Sequence, residues 1–376
     1  KVSKTTKLTK NIDDIINDDS IDVLIELIGG MNPSKQVVIR ALSRGKDVIT
    51  ANKGLIASCG QELFALARKN NCFLYYESAV GAGIPIIKTI SEGIAGNLYN
   101  GVYGIVNGTC NFILDEMASK NLTFADALKL AQDKGYAESD PTLDINGMDA
   151  TYKLAILINL AFGKFIDVKD IYTEGIDHLS HDDIEAAESL NLSIKLLAIA
   201  KEVDGKVEAR VHPTLIKKSH PLASINGVLN GVFLDTTPLG NILLSGEGAG
   251  QYAAASGVVS DLINLVSHDA NKELYCNEDK ETVREISKLD DVETKFYLRF
   301  QATDKAGVLS EITGLLGKAN IGINSVTQKM HTKAKYVPVI MLTETTTERK
   351  LRGALDKIGK LKNIKVKPVA IRMERL

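Results

Sequence analysis

The chain is short of cysteine, of any excess charge and of long hydrophobic runs, and each shortage excludes a class of protein. Its four cysteines, Cys59, Cys72, Cys110 and Cys276, are scattered through 376 residues without a CxxC pair. They build no disulfide framework, so a reducing cytoplasm is the expected compartment. Lysine and arginine number 45 against 47 aspartates and glutamates, a formal net charge of -2. That balance argues against a nucleic-acid binder or a polybasic membrane-surface protein. No apolar run reaches the roughly 18 residues of a membrane span; Leu154 to Phe162 is among the longest. No basic-then-apolar stretch opens the sequence, so no secretory signal is expected. Also missing are a GxGxxG fingerprint after a first strand, a nucleophile elbow and metal-ligand spacing among His178, His181, His212, His220, His268 and His331. What remains is ordinary globular composition, 44% hydrophobic and 24% charged. At about 150 residues per domain, the length predicts two or three domains.

The first stretch alternates strands and helices. Asp22-Val-Leu-Ile-Glu-Leu is a short apolar run closed by Gly29-Gly30, and Pro33 opens an amphipathic helix that Gly45 stops. Asp47 to Thr50 predicts a second strand, Gln61 to Asn71 a helix and Cys72 to Glu77 a third strand. Strands spaced by such helices form a parallel sheet, with ligands beyond the strands' carboxyl ends. The middle reads as a second, α+β domain. It has a strand at Val102 to Val106, helices at Thr109 to Ser119 and Asp149 to Phe162, and strands at Val207 to Ile216 and Gly227 to Thr236. Thr123 and Asp126 form a capping box for a helix ended by Gly135. The Asp-rich surroundings of His178 and His181 read as a solvated loop. An apolar helix covers Ala253 to Val266, and the charged stretch Ser267 to Asp291 reads as a linker. The tail from Phe296 to Ile371 reads βαββαβ, the ferredoxin-like order, and is short enough to be an independent module.

Three polar clusters could carry chemistry. In Asp140 to Lys153, Asp149 and Lys153 stand four apart on one helical face. The apolar run after Lys153 would keep that lysine dry, and such a lysine can move a proton at a carbonyl or hydroxyl. An ordinary surface ion pair fits the same spacing. Thr50-Ala-Asn-Lys53 ends a strand, where a lysine could meet a cofactor or simply be solvated. Glu77 to Pro85 pairs one carboxylate with exposed carbonyls, which suits a hard cation or a plain strand-to-helix turn. Gly246-Glu-Gly-Ala-Gly250 precedes a helix and could approach a phosphate or nicotinamide, though alone it is a weak signal.

In this order these pieces resemble homoserine dehydrogenase. The matching blocks are Glu26 to Gly30, Thr50 to Lys53, Glu77 to Pro85, Asn107 to Leu114, Gly135 to Pro141, Asp144 to Lys153 and Gly246 to Asp261. The tail resembles an ACT regulatory domain through Asp304-Lys-Ala-Gly307-Val-Leu and Asn320-Ile-Gly322-Ile-Asn324. The resemblance implies a partial Rossmann-type nucleotide domain over residues 1–98 plus 250–268 and an α+β substrate and dimerisation domain over 99–249. It further implies a linker over 269–294 and an ACT domain over 295–376. Family members begin upstream of Lys1 with a glycine-rich phosphate loop, so the natural chain is expected to be longer. The residue that selects NAD or NADP would lie in that part.

The resemblance implies roles residue by residue. Lys153 would give its proton to the aldehyde oxygen of aspartate semialdehyde while NAD or NADP delivers hydride. Glu138 and Asp149 would bind homoserine, with Asp144 supporting. Lys53, Gly135 and Gly250, with Gly29 and Gly30 at the first strand end, would face the cofactor. Glu77, Val80, Ala82 and Ile84 would hold a monovalent cation, expected to be sodium, largely through main-chain carbonyls. Position 82 is often glycine in relatives and is alanine here. The expected partners are the small-molecule substrate and an amino-acid effector, threonine, with no nucleic acid or membrane. The expected assembly is a homodimer or homotetramer. Two alternatives stand beside this: a catalytically inactive amino-acid sensor, or another NAD(P)-dependent oxidoreductase of the saccharopine or aspartate type.

Overall fold

The computed structural model describes residues 3, 5–267, 285–328 and 335–374. Cys276, His268, His331 and most of the expected linker lie outside them. A short helix α1 (Asp13–Ile16) leads into β1 (Val23–Glu26), α2 (Ser34–Ser43), β2 (Asp47–Thr50), α3 (Lys53–Lys69) and β3 (Leu74–Tyr75). The three strands pair in parallel in the order β1-β2-β3. α2 buries Val37, Val38, Ala41 and Leu42 against this sheet and ends where Gly45 turns to a φ of 76°. α3 begins at Lys53, eight residues before the helix expected at Gln61, because the Asn52 side chain accepts from Leu55 N and caps it there.

After α4 (Ile86–Lys88) the chain enters a second sheet through β4 (Leu98–Ile105). Then come α5 (Gly108–Lys120), α6 (Phe124–Asp133), α7 (Thr142–Ile145), α8 (Met148–Phe162), the two-residue strand β5 (Tyr172–Thr173) and α9 (His181–Ser189). Four long strands follow: β6 (Leu192–Val203), β7 (Lys206–Lys217), β8 (Leu229–Thr237) and β9 (Gly240–Glu247). α8 is buried on nearly every side, as its continuous apolar sequence requires. The helix α10 (Gln251–Ser267) returns to the first sheet, where Val258 packs with Ile49, Phe73 and Tyr75.

One segment differs from expectation and a second carries no strand signal in the sequence. Residues 181–189 form a helix rather than a solvated loop, because Asp183 accepts from Ser180 N at 2.9 Å and closes a capping box. β6 carries helix-forming Leu, Lys and Ala, yet sheet pairing with β4 and β7 overrides that preference.

The tail contributes β10 (Glu293–Thr303), α11 (Val308–Lys318), β11 (Ile323–Gln328), β12 (Tyr336–Thr343), a two-residue β13 (Thr346–Thr347), α12 (Glu348–Ile358) and β14 (Val369–Met373). The ferredoxin-like order is present, with β13 added. The tail is not a separate sheet, however. β14 runs parallel to β7, pairing Arg372 with Thr214 and Met373 with Leu215. One eleven-stranded sheet therefore runs from the tail through the middle domain. Buried ion pairs reinforce the joint: Arg299 of β10 donates to both oxygens of Asp183 at 2.7 and 2.9 Å.

Candidate active site

The carboxylate of Asp149 joins the two halves of the site. Lys153, one turn along α8, donates to its Oδ2 at 2.7 Å and to Val106 O at 2.5 Å. Lys53, at the start of α3 on the first sheet, reaches its Oδ1 at 2.7 Å. Asn107 donates to the same Oδ2 at 2.8 Å and to Asp144 Oδ1 at 2.7 Å. The side chains of Asp149 and Lys153 are 8% and 9% exposed, whereas that of Lys53 is 43% exposed. The cleft therefore has a dry end at Lys153 and a wet end at Lys53.

The charges follow from this geometry. Burial alone would raise the Asp149 carboxyl, but Lys153 and Lys53 outweigh it and hold the group well below the usual carboxylate range. Burial would lower the Lys53 ammonium, but Asp149, with help from Asp144 and Glu138, holds it above its usual value. Burial pushes Asp144 up against the opposing hydrogen bond from Asn107. Glu138 is exposed in the loop between α6 and α7, within electrostatic reach of Lys53.

The strand ends are fixed by a polar relay. Glu26 of β1 accepts from Ile28 N at 2.8 Å, Gly29 N at 3.1 Å and Thr50 Oγ1 at 2.7 Å. Thr50 Oγ1 accepts from Asn52 N at 3.0 Å, and Asn52 Nδ2 donates to Gly30 O at 2.6 Å. Gly29 and Gly30 take φ of 76° and 70°, with open space where a side chain would stand. Beside them lies a mostly apolar cavity of about 510 Å³, lined by Leu27, Gly29, Ala51, Asn52, Ala254 and Val258 among others. Gly250, at φ 107°, opens α10 next to it, its carbonyl accepting from Ala254 N at 2.9 Å. An apolar slot at the carboxyl ends of parallel strands, bordered by bare backbone and adjoining Lys53, fits a nicotinamide nucleotide. Gly135, at φ 75°, closes α6, with Tyr136 N donating to Ala131 O at 2.8 Å.

Glu77 is buried and accepts from Ile87 N and Lys88 N, both at 2.9 Å. Asp261 of α10 accepts from Glu77 N at 2.9 Å. Burial pushes both carboxyls up to about 7. Val80, Ala82 and Ile84 follow in a tight bend, where Ile84 O accepts from Ile86 N at 2.7 Å. Glu77 could lend a carboxylate oxygen, and Val80, Ala82 and Ile84 their carbonyls, to a hard cation, which takes oxygen donors of this kind.

Asn107 has a role that the sequence motifs do not assign. Its side-chain oxygen accepts from Cys110 N at 2.8 Å and caps α5, while its amide nitrogen bridges the two acids. An asparagine before a predicted helix start was the available signal.

Comparison with known proteins agrees along the whole chain. Residues 2–77 match the family description "Homoserine dehydrogenase, NAD binding domain", residues 85–263 match "Homoserine dehydrogenase" and residues 296–363 match "ACT domain". The homoserine dehydrogenase of Pseudomonas aeruginosa is 40% identical, over 99% of this chain and 87% of its own length. That of Neisseria gonorrhoeae is 39% identical, over 100% and 88%. Among solved structures, a homoserine dehydrogenase from Thiobacillus denitrificans superposes with a TM-score of 0.91 at 40% identity, covering 97% of this chain and 85% of its own. A hyperthermophilic archaeal homoserine dehydrogenase in complex with NADPH superposes with a TM-score of 0.62 at 28% identity, covering 72% and 80%. No helix among the described residues is long and apolar enough to cross a membrane. The chain belongs to the homoserine dehydrogenase family and carries an ACT domain after its catalytic region.

Proposed function

We propose that the chain catalyses the reversible NAD(P)-dependent interconversion of L-aspartate 4-semialdehyde and L-homoserine. The observation that carries this reading is Asp149 shared by Lys53 of the nucleotide side and Lys153 of the substrate side. Lys153 Nζ is buried and aimed by Val106 O and Asp149, so it can give a proton to the forming alkoxide, directly or through a water, and take it back in the other direction. Glu138 and Asp149, supported by Asp144, orient the substrate ammonium. Both Asp149 oxygens already carry donors, so that ammonium would share the carboxylate with the half-exposed Lys53. When bound, the nucleotide supplies or accepts the hydride. Gly29, Gly30, Gly135, Gly250 and Lys53 would hold it. Glu77 with the carbonyls of Val80, Ala82 and Ile84 would hold sodium.

The same reading places the domains at 1–98 plus 250–268, 99–249, 269–294 and 295–376, in a cytoplasmic homodimer or homotetramer. The ACT domain would bind an amino-acid effector, threonine, at Gly307, Gly322, Asn320 and Asn324. Gly307 is suited to a ligand loop, since its φ of 91° leaves open space above the first turn of α11. Oxidation of L-homoserine with NAD⁺ and with NADP⁺ tests the reading. Turnover with at least one is expected, and none with either overturns it. Millimolar threonine should weaken activity roughly five- to hundredfold.

A further inference from the structure

We infer that Arg372, on the last strand of the ACT domain, is a positioning residue for the substrate site, acting through Glu174 and Tyr172. Arg372 is 4% exposed. Its Nε and Nη2 donate to the two oxygens of Glu348 within the same domain, at 2.9 and 2.7 Å. That pair already neutralises the guanidinium, yet a further arm crosses the domain joint. Nη1 donates to Glu174 Oε2 at 2.7 Å, Nη2 reaches the Tyr172 hydroxyl at 3.3 Å, and the guanidinium lies 4.8 Å from the Tyr172 ring centre. Tyr172 also donates to Glu174 Oε2 at 2.8 Å, so one ACT side chain contacts both residues, while His178 Nε2 lies 3.2 Å from the other Glu174 oxygen.

Residues 172–176 form the support beneath the catalytic segment. Thr173 Oγ1 is 2.7 Å from Thr151 Oγ1, which sits on α8 between Asp149 and Lys153. Ile176 N donates to Ile145 O at 2.9 Å, one residue from Asp144. Gly175 lies so close that a Cβ there would stand 2.2 Å from Ile145 O and 2.7 Å from Asn146 Cα. Glu174 N donates to Val211 O at 2.8 Å and ties the segment to β7, the strand that pairs with β14. With no slack at Gly175, a shift of Glu174 must move residues 144–151. The link borders a cavity of about 750 Å³ between α12 and residues 172–178, so it is not sealed into a core.

The kinetic readout rests on the homoserine reading, so a second readout stands apart from activity. Glu174→Gln removes the charge pair with Arg372 and weakens the His178 contact, while Tyr172→Phe removes only the hydroxyl arm; both keep side-chain shape. Arg349→Ala, an exposed neighbour of Glu348 on α12, is the control. In both link variants the KM for L-homoserine should rise roughly two- to thirtyfold, the scale of a coupling mutation. The KM for the nucleotide should stay within about twofold, as expected when only one ligand's site is perturbed. Amide exchange of residues 145–151 should quicken, and Arg349→Ala should leave all three unchanged. Wild-type exchange at 145–151 in both link variants overturns the inference, as does a lowered melting temperature with an unchanged homoserine KM. If the wild type fails to oxidise homoserine, the functional reading falls, and the exchange measurement still decides this one.

Discussion

Two lysines from different domains share the Asp149 carboxylate, and that sharing sets what each substitution costs. Asp149→Asn removes the negative charge between them and leaves Lys153 buried beside neutral acceptors. Losing one partner of a buried pair costs on the order of 3 kcal/mol. Because the folded Asp149 carboxyl is held below its usual 3.8, its contribution is fully present above about that pH. It is lost progressively below that pH, as first the unfolded chain and then the folded group takes up the proton. The stability gap between Asp149→Asn and wild type, measured by denaturant unfolding, should therefore be constant from neutral to mildly acidic pH and narrow below about pH 4. A gap independent of pH down to strong acid would contradict the assignment. Glu138→Gln should raise the KM for homoserine more than the KM for the nucleotide, and an equal rise in both would remove Glu138 from the substrate side. Lys53, Asp149 and Lys153 stand out in the sequence as polar blocks, but their spacing also fits a surface ion pair and a solvated lysine, and only the family resemblance gives them roles. Asn107 was not assigned, because its two acids lie 37 and 42 residues downstream and only folding brings them together.

Among the elements, α10 and the loop from Glu77 to Ile84 fit with no spare room. A Cβ at Gly257 would come within 2.3 Å of Ser78 Oγ and 2.8 Å of Ala82 O. Gly257→Ala should therefore destabilise the protein by about 1–3 kcal/mol, the usual cost of overpacking. The same loop brings together Glu77 and Asp261, both pushed up to about 7 by burial. A raised carboxyl means that the folded state holds its proton to higher pH than the unfolded chain. Stability then falls as pH rises from about 4.5 to 7. A sodium ion at the Glu77 loop would favour the charged form and offset that fall. Sodium chloride should thus raise the melting temperature above that in choline chloride at pH 7 in the wild type but not in Glu77→Gln; equal melting in both salts would argue against a cation there. The parallel strands and α8 were legible from apolar runs of the right length and period. β6 was not named, because its Leu, Lys and Ala favour helix and only its neighbours in the sheet make it a strand. The acidic first turn of α9 resembles a solvated segment in sequence, and only the fold brings Asp183 to accept from Ser180 N and to pair with Arg299.

At the scale of the whole molecule, the ACT domain is built into the catalytic sheet rather than hung from it. Its βαββαβ order was readable from the tail alone, but its joint was not: Arg299 meets Asp183 across 116 residues and Arg372 meets Glu174 across 198. A chain cut near Asp291 would leave fully buried Asp183 without Arg299 and fully buried Arg210 without Glu374. Such a truncation should melt well below the full chain, and an equal melting temperature would show the joint to be dispensable. Point substitutions in the intact chain are therefore the cleaner probe of the site. The central claim is that Lys153, held by Asp149 where the two domains meet, moves the proton in homoserine oxidation. Steady-state kinetics of Lys153→Ala against wild type, with L-homoserine and the preferred nucleotide, test it most directly. The account predicts a kcat lower by roughly a hundredfold or more, the scale of a lost general acid, with both KM values changing much less. A Lys153→Ala enzyme with near-wild-type kcat would contradict it.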